Sequence, residues 1–245
     1  MTWQDTEQRE IWPGLVVRTR GAVPAADMMY TIDGVGQALR KTSASSTGCV
    51  RISRRNVRGV LYQVNADING QPCRVQIMGP AATAVERFSR HVDTIRAGQA
   101  PGFLPYPENR ALSIVTPPQP VVRRKAVQLL TLNPAAACEV MYRMDFATFL
   151  FRDADTGDNA VLYRAGDQQV RLIRRSRSHA TDTDTSRIAV DSGAAEVVPE
   201  PVAAARLCRN GLPFLFFADP LTGRVRLLYR RFDGYLSILE ACGRP

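Results

Sequence analysis

Apolar and polar positions along the first hundred residues alternate in two distinct rhythms. Leu15–Arg20 alternates with a period of two and reads as a strand. Pro24–Lys41 places Met28, Ile32, Val35 and Leu39 on one stripe at helical spacing. A Ser/Thr-rich loop then leads to a short strand at Cys49–Ser53. Leu61–Ile68 and Gln71–Met78 alternate again and are joined by Asn69-Gly70, a strong short-range hairpin signal. Ala82–Ala97 returns to the helical rhythm, with Val85, Phe88, Val92 and Ile95 on one face. The order β-α-β-β-β-α over residues 11–98 predicts two helices on one face of a four-stranded sheet, a small α+β domain.

Residues 99–120 break both rhythms and are rich in proline, which predicts a linker. Beyond it the pattern repeats. Phe149–Arg164 (FLFRDADTGDNAVLYR) aligns with Leu215–Arg230 (LFFADPLTGRVRLLYR) at an offset of 66 residues, and a helical stretch precedes each. The reading is two tandem β-α-β-β-β domains, 121–175 and 187–245, joined by a polar connector at 176–186. Their strands are apolar on both faces, and each copy has one helix to offer. Leu150, Leu162 and Ile173 of the first copy, and Phe216, Leu228 and Leu239 of the second, are the residues left for a second cover. Pairing of the two copies, or pairing with another chain, would supply that cover, and pairing within one chain predicts a monomer.

Charge changes the picture. The formal net charge is +9, and all the cationic side chains but Lys41 and Lys125 are arginine. Such a balance favours a polyanionic partner, and arginine suits bidentate phosphate contact. The candidate nucleic-acid contacts are Arg18, Arg20, Arg40, Lys41, Arg51, Arg54, Arg55, Arg58, Arg74, Arg87, Arg90 and Arg96, all in the first domain. Alternation places Arg18, Arg20, Arg74 and Gln76 opposite Val17, Val75 and Ile77, while Arg87, Arg90, His91 and Arg96 lie off the apolar stripe of the second helix. Few aromatics accompany them, which favours backbone recognition over base readout.

Other candidate chemistry is thin. DADTGD (Asp153–Asp158) falls short of calcium-loop spacing, and its second copy, DPLTGR, loses two of the three acids while keeping the Thr-Gly turn. DGVGQ (Asp33–Gln37) lies within a helical pattern and lacks the remainder of a phosphate loop. Two histidines, His91 and His179, form no nucleophile–base set. We expect no enzyme, no cofactor and no metal. Five scattered cysteines suit a reducing compartment, and no apolar run approaches the ~20 residues of a membrane span. The polar start, MTWQDTEQRE, is not a signal peptide. A cytoplasmic protein with no membrane partner is expected.

The final block, LLYRRFDGYLSILEACGRP, resembles the end of long-form ribosome hibernation promoting factors, where a V-V-Y-R-R-x-D-G-x-Y-x-L-I-E pattern closes the chain. FLFRDADTG and FLFFADPLTG resemble the F-x-V-F-x-N-x-x-T-G strand and turn of the same domain, and Leu132-Asn133-Pro134 with Met141 resembles the helix before it. The first domain matches that family in element order. The resemblance implies a first domain seated on small-subunit, 16S-type rRNA at the decoding region, blocking the mRNA and tRNA sites. Two C-terminal copies in place of one resemble the layout of dormancy-associated actinobacterial versions. A ribosome-independent regulator that binds RNA or a transcription factor is the alternative.

Overall fold

The computed structural model describes residues 8–42, 46–54, 59–98, 118–165, 169–176 and 188–242. The chain divides into two compact units, residues 1–107 with Tyr142–Asp145, and residues 108–141 with 146–245.

The first unit is a five-stranded sheet in the order β1 (Gln8–Trp12), β2 (Leu15–Arg20), β3 (Thr47–Arg54), β4 (Val60–Ile68), β5 (Gln71–Met78). Strands β2 and β3 are parallel, so α1 (Ala25–Arg40) crosses between them, and α2 (Ala81–Arg96) follows β5. Both helices bury one face against Leu15, Val17, Val50, Ile52, Val64 and Val75. The α+β class and the β-α-β-β-β-α order hold, with β1 as an addition. Its polar residues carry no strand rhythm. The signal available was Pro13-Gly14, which turns β1 back on β2 with Gly14 at φ +74°.

The Asn69-Gly70 turn has both residues at positive φ, 54° and 78°, as a tight hairpin twisted with its strands requires. The DGVGQ glycines serve packing. A Cβ on Gly34 would lie 2.3 Å from Val85 of α2, so Gly34 is where the helices approach.

The second unit contains two five-stranded sheets. One runs β11 (Ile188–Ala194), β10 (Val170–Arg174), β9 (Asn159–Arg164), β8 (Thr148–Asp153), β7 (Thr131–Leu132). The other runs β12 (Glu196–Val197), β13 (Phe214–Ala218), β14 (Val225–Arg230), β15 (Leu236–Ala241), β6 (Val121–Val127). Helices α3 (Pro134–Arg143) and α4 (Glu200–Arg209) precede the two meanders. Each copy therefore has the expected β-α-β-β-β elements with one short strand added before its helix, β7 or β12, but the leading strands are exchanged. β6, the leading strand of the first copy, pairs in parallel with β15 of the second. β11, the leading strand of the second copy, pairs in parallel with β10 of the first.

A candidate nucleic-acid interface and a shared core

The strand registers of the first unit decide which basic residues share a surface. Arg18 lies opposite Arg51, Arg51 opposite Gln63, and Gln63 opposite Gln76. The adjacent row brings Cys49, Asn65 and Arg74 together, and Arg20 lies opposite Ser53. All of these project from the sheet face that carries no helix, because their strand neighbours Val17, Val50, Ile52, Val64 and Val75 are buried under α1 and α2. Arg20 and Arg51 are exposed, and Arg18 and Arg74 half-buried. The acid among the described side chains of this face is Asp67, at its far end, where it accepts a hydrogen bond from the Gly70 amide at 2.8 Å. The face thus offers guanidinium and amide donors in cross-strand rows, with no aromatic ring among them.

The helix side is different. Arg90 pairs with Glu86 and Arg96 with Asp93, each within one turn of α2. Arg40, at the end of α1, stacks over Trp12 at 4.4 Å from the ring centroid, and Lys41 caps the same helix. Asp27 and Asp33 add acids on α1. The helix surfaces are close to balanced, whereas the helix-free face is basic. Arg54 ends β3 on the helix side and donates to the Ala22 carbonyl at 3.5 Å. Arg55, Arg58 and His179 lie outside the described residues.

Two residues are not where alternation put them. Arg87 is only 7% exposed and grips Asp145 with Nε at 3.2 Å and Nη2 at 2.5 Å. His91 is 8% exposed, with Nε2 2.8 Å from the Arg143 carbonyl oxygen. The segment Tyr142–Asp145, remote in sequence, belongs to this unit and covers that side of α2. Asp145, at φ +48°, also accepts the backbone N–H of Gln76 at 3.2 Å. Arg87 is therefore an internal structural cation rather than part of an exposed basic surface. Burial holds the His91 imidazole below its ordinary 6.5, against the raising effect of its hydrogen bond to the carbonyl.

In the second unit, Leu150 and Ile173 of the first copy pack in one cluster with Phe216 and Leu239 of the second. Tyr163 and Phe214 add a tilted ring contact across the copies at 5.1 Å. Leu162 and Leu228 do not join them. Register sets Leu150 beside Val161 and Val161 beside Ile173, and in the second copy Phe216 beside Leu227 and Leu227 beside Leu239. Val161 and Leu227 are the middle-strand members of the shared core, while Leu228 belongs to the cluster around α4. The error is a one-residue slip in β9 and β14. The length of the hairpin turn sets that phase, and alternation within an all-apolar strand does not reveal it.

The turns themselves are built alike. Gly157 (φ +72°) and Gly223 (φ +64°) donate to the Asp153 and Asp219 carbonyls at 2.7 and 2.8 Å. The Asp153 carboxylate is committed to Asp155 N–H at 3.0 Å and to Arg174 Nε at 2.8 Å, in a buried ion pair. Among the described residues no group of three or more His, Cys, Asp or Glu is placed to hold a metal ion. No helix there is long and apolar enough to cross a membrane.

Comparison with known proteins adds three findings. A family model described as sigma 54 modulation/S30EA ribosomal protein C terminus matches residues 116–172. Two curated relatives from strains of Mycobacterium tuberculosis, each described as a dormancy associated translation inhibitor, are 32% identical over 247 residues. That match covers 95% of this chain and 90% of either relative. Among solved structures, the Protein Y N-terminal domain of Thermus thermophilus matches with 17% identity and a TM-score of 0.28, over 34% of this chain and 94% of that one.

Proposed function

Since the chain belongs to the sigma 54 modulation/S30EA ribosomal protein family, to which the long-form ribosome hibernation factors belong, we propose that it is a ribosome hibernation factor. It binds small-subunit rRNA at the decoding region, blocks the mRNA and tRNA sites, and silences and protects ribosomes in dormancy or stress. The observation that carries this reading is the helix-free face of the first sheet, where Arg18, Arg20, Arg51 and Arg74 converge. Several cations on one rigid surface release counterions together on meeting phosphates, which supplies most of the affinity. The amides of Gln63, Asn65 and Gln76 between them suit sugar and phosphate oxygens. The second unit pairs its two copies within the chain, so the factor is a monomer, and it acts in the cytoplasm on ribosomes.

Ribosome co-sedimentation tests the reading. Arg20, Arg51 and Arg74 changed together to Glu should abolish pelleting with the small subunit and leave the fold intact. The unaltered chain should lose affinity with salt at about 0.9 log units per log unit of salt for each duplex phosphate neutralised. Pelleting unchanged by the three substitutions would remove this face as the rRNA contact.

A further inference from the structure

The two exchanged strands differ in charge, and each lies in the sheet that complements it. The 66-residue offset is kept in both pairings, since Arg123 lies opposite Ser237 and Ala189 opposite Arg171. Arg124 and Lys125 on β6 are thus the positional equivalents of Val190 and Asp191 on β11. Asp191 forms an ion pair with Arg171 of β10 at 2.8 Å and accepts the Tyr163 hydroxyl at 2.6 Å. Burial and this carboxylate push the Tyr163 hydroxyl up to about 12. Arg124 grips Glu200, at the start of α4, with Nη1 at 2.7 Å and Nη2 at 2.5 Å. That hydrogen bonding holds the Glu200 carboxyl below its ordinary range despite partial burial.

The opposite arrangement, with each leading strand in its own copy's sheet, loses all of this. Lys125 would take the place of Asp191 beside Arg171, setting cation against cation. Val190 would take the place of Arg124 over Glu200. Two first copies from separate chains would meet the first fault twice, and two second copies the second fault twice.

We propose that charge directs the exchange, so that the partner the first copy's sheet accepts is the second copy and not another first copy. The proposal rests on the reading that the copies pair within one chain. It gives the duplication a physical consequence, because the copies have diverged into a complementary pair in which like copies are mismatched.

Cross-linking of the full chain tests it. Ala241 lies opposite Val127, and the Cys242 N–H donates to the Val127 carbonyl at 2.7 Å, so Gln128→Cys places a thiol next to Cys242 only when β6 is exchanged. Gln128 and Cys242 are both exposed, and Cys49→Ser removes the remaining cysteine that is not buried. A short bismaleimide should then give an internally cross-linked monomer. Interchanging the charges as R124V, K125D, V190R and D191K should lower the cross-linked to uncross-linked ratio roughly a hundredfold, at up to about fivefold for each of the two ion pairs lost and the two that the opposite arrangement gains. Adding Arg171→Glu, which faces the new lysine at 191, should restore about tenfold and so separates misdirected strands from simple misfolding. An unchanged yield after the interchange, or no recovery with Arg171→Glu, overturns the charge code. Cross-linked dimers, or no cross-link at all, in the chain whose charges are unaltered would instead overturn pairing within one chain.

Discussion

Arg87 and Asp145 show how burial alters what a charged residue does. On a helix surface Arg87 would be one more phosphate ligand. Under Tyr142–Asp145 its removal strands a carboxylate that is 6% exposed. Arg87→Ala should therefore destabilise the protein by about 3–5 kcal/mol, the cost of breaking a buried pair by deleting one partner. Urea denaturation measures that loss, and ribosome affinity at equal folded concentration should hardly change. His91 makes a second prediction. Its folded pKa is depressed, so the unfolded chain takes up the proton first. The stability that neutral His91 contributes is complete above about pH 6.5, its unfolded value, and is lost as pH falls toward the folded value. The thermal midpoint should drop on acidification from pH 7.5 to about 5.5, and His91→Gln should flatten that part of the profile. A midpoint with the same pH slope in the variant would assign the effect to other groups.

At the scale of elements, phase within a strand decides what each side chain touches. Leu150 and Phe216 lie in the core shared by the copies, whereas Leu228 lies in the core around α4. Leu150→Ala and Phe216→Ala should each cost about 2–5 kcal/mol. Measured together they should depart from additivity by roughly 0.5–3 kcal/mol, since one relaxed cavity serves both. Leu150→Ala with Leu228→Ala should be close to additive. Strict additivity of the Leu150–Phe216 pair in urea denaturation would mean that the copies do not share a core in solution. The same reasoning applies to β6 and β11. Which sheet a leading strand joins depends on the side chains it meets there as much as on its own, and its hydrophobic pattern alone does not record that.

For the whole molecule, the exchange sets the apolar faces of the two copies against each other, Leu150 and Ile173 with Phe216 and Leu239. The full-length protein should sediment as a monomer across micromolar concentrations and should hold single ribosomes rather than ribosome pairs. Sucrose-gradient sedimentation of ribosomes with added protein checks this directly. An abundant paired-ribosome peak would restore pairing between chains.

Sequence by itself determined the local features. Hydrophobic rhythm located α1, β4, β5 and α2, because a helix or strand of this length buries one continuous face and the period is written in the residues that do so. The Asn69-Gly70 turn and the two Thr-Gly turns were legible because positive φ excludes most other residues. The basic face was partly legible, since alternation alone puts Arg18, Arg20 and Arg74 opposite the core. Only the tertiary structure decided the rest. It brought Asp145 against Arg87 across 58 residues, chose Val161 and Leu227 over their neighbours, and carried β6 and β11 into each other's sheets. Each of these outcomes depends on a contact between segments distant in the chain, and its energy belongs to the pair rather than to either segment's own pattern.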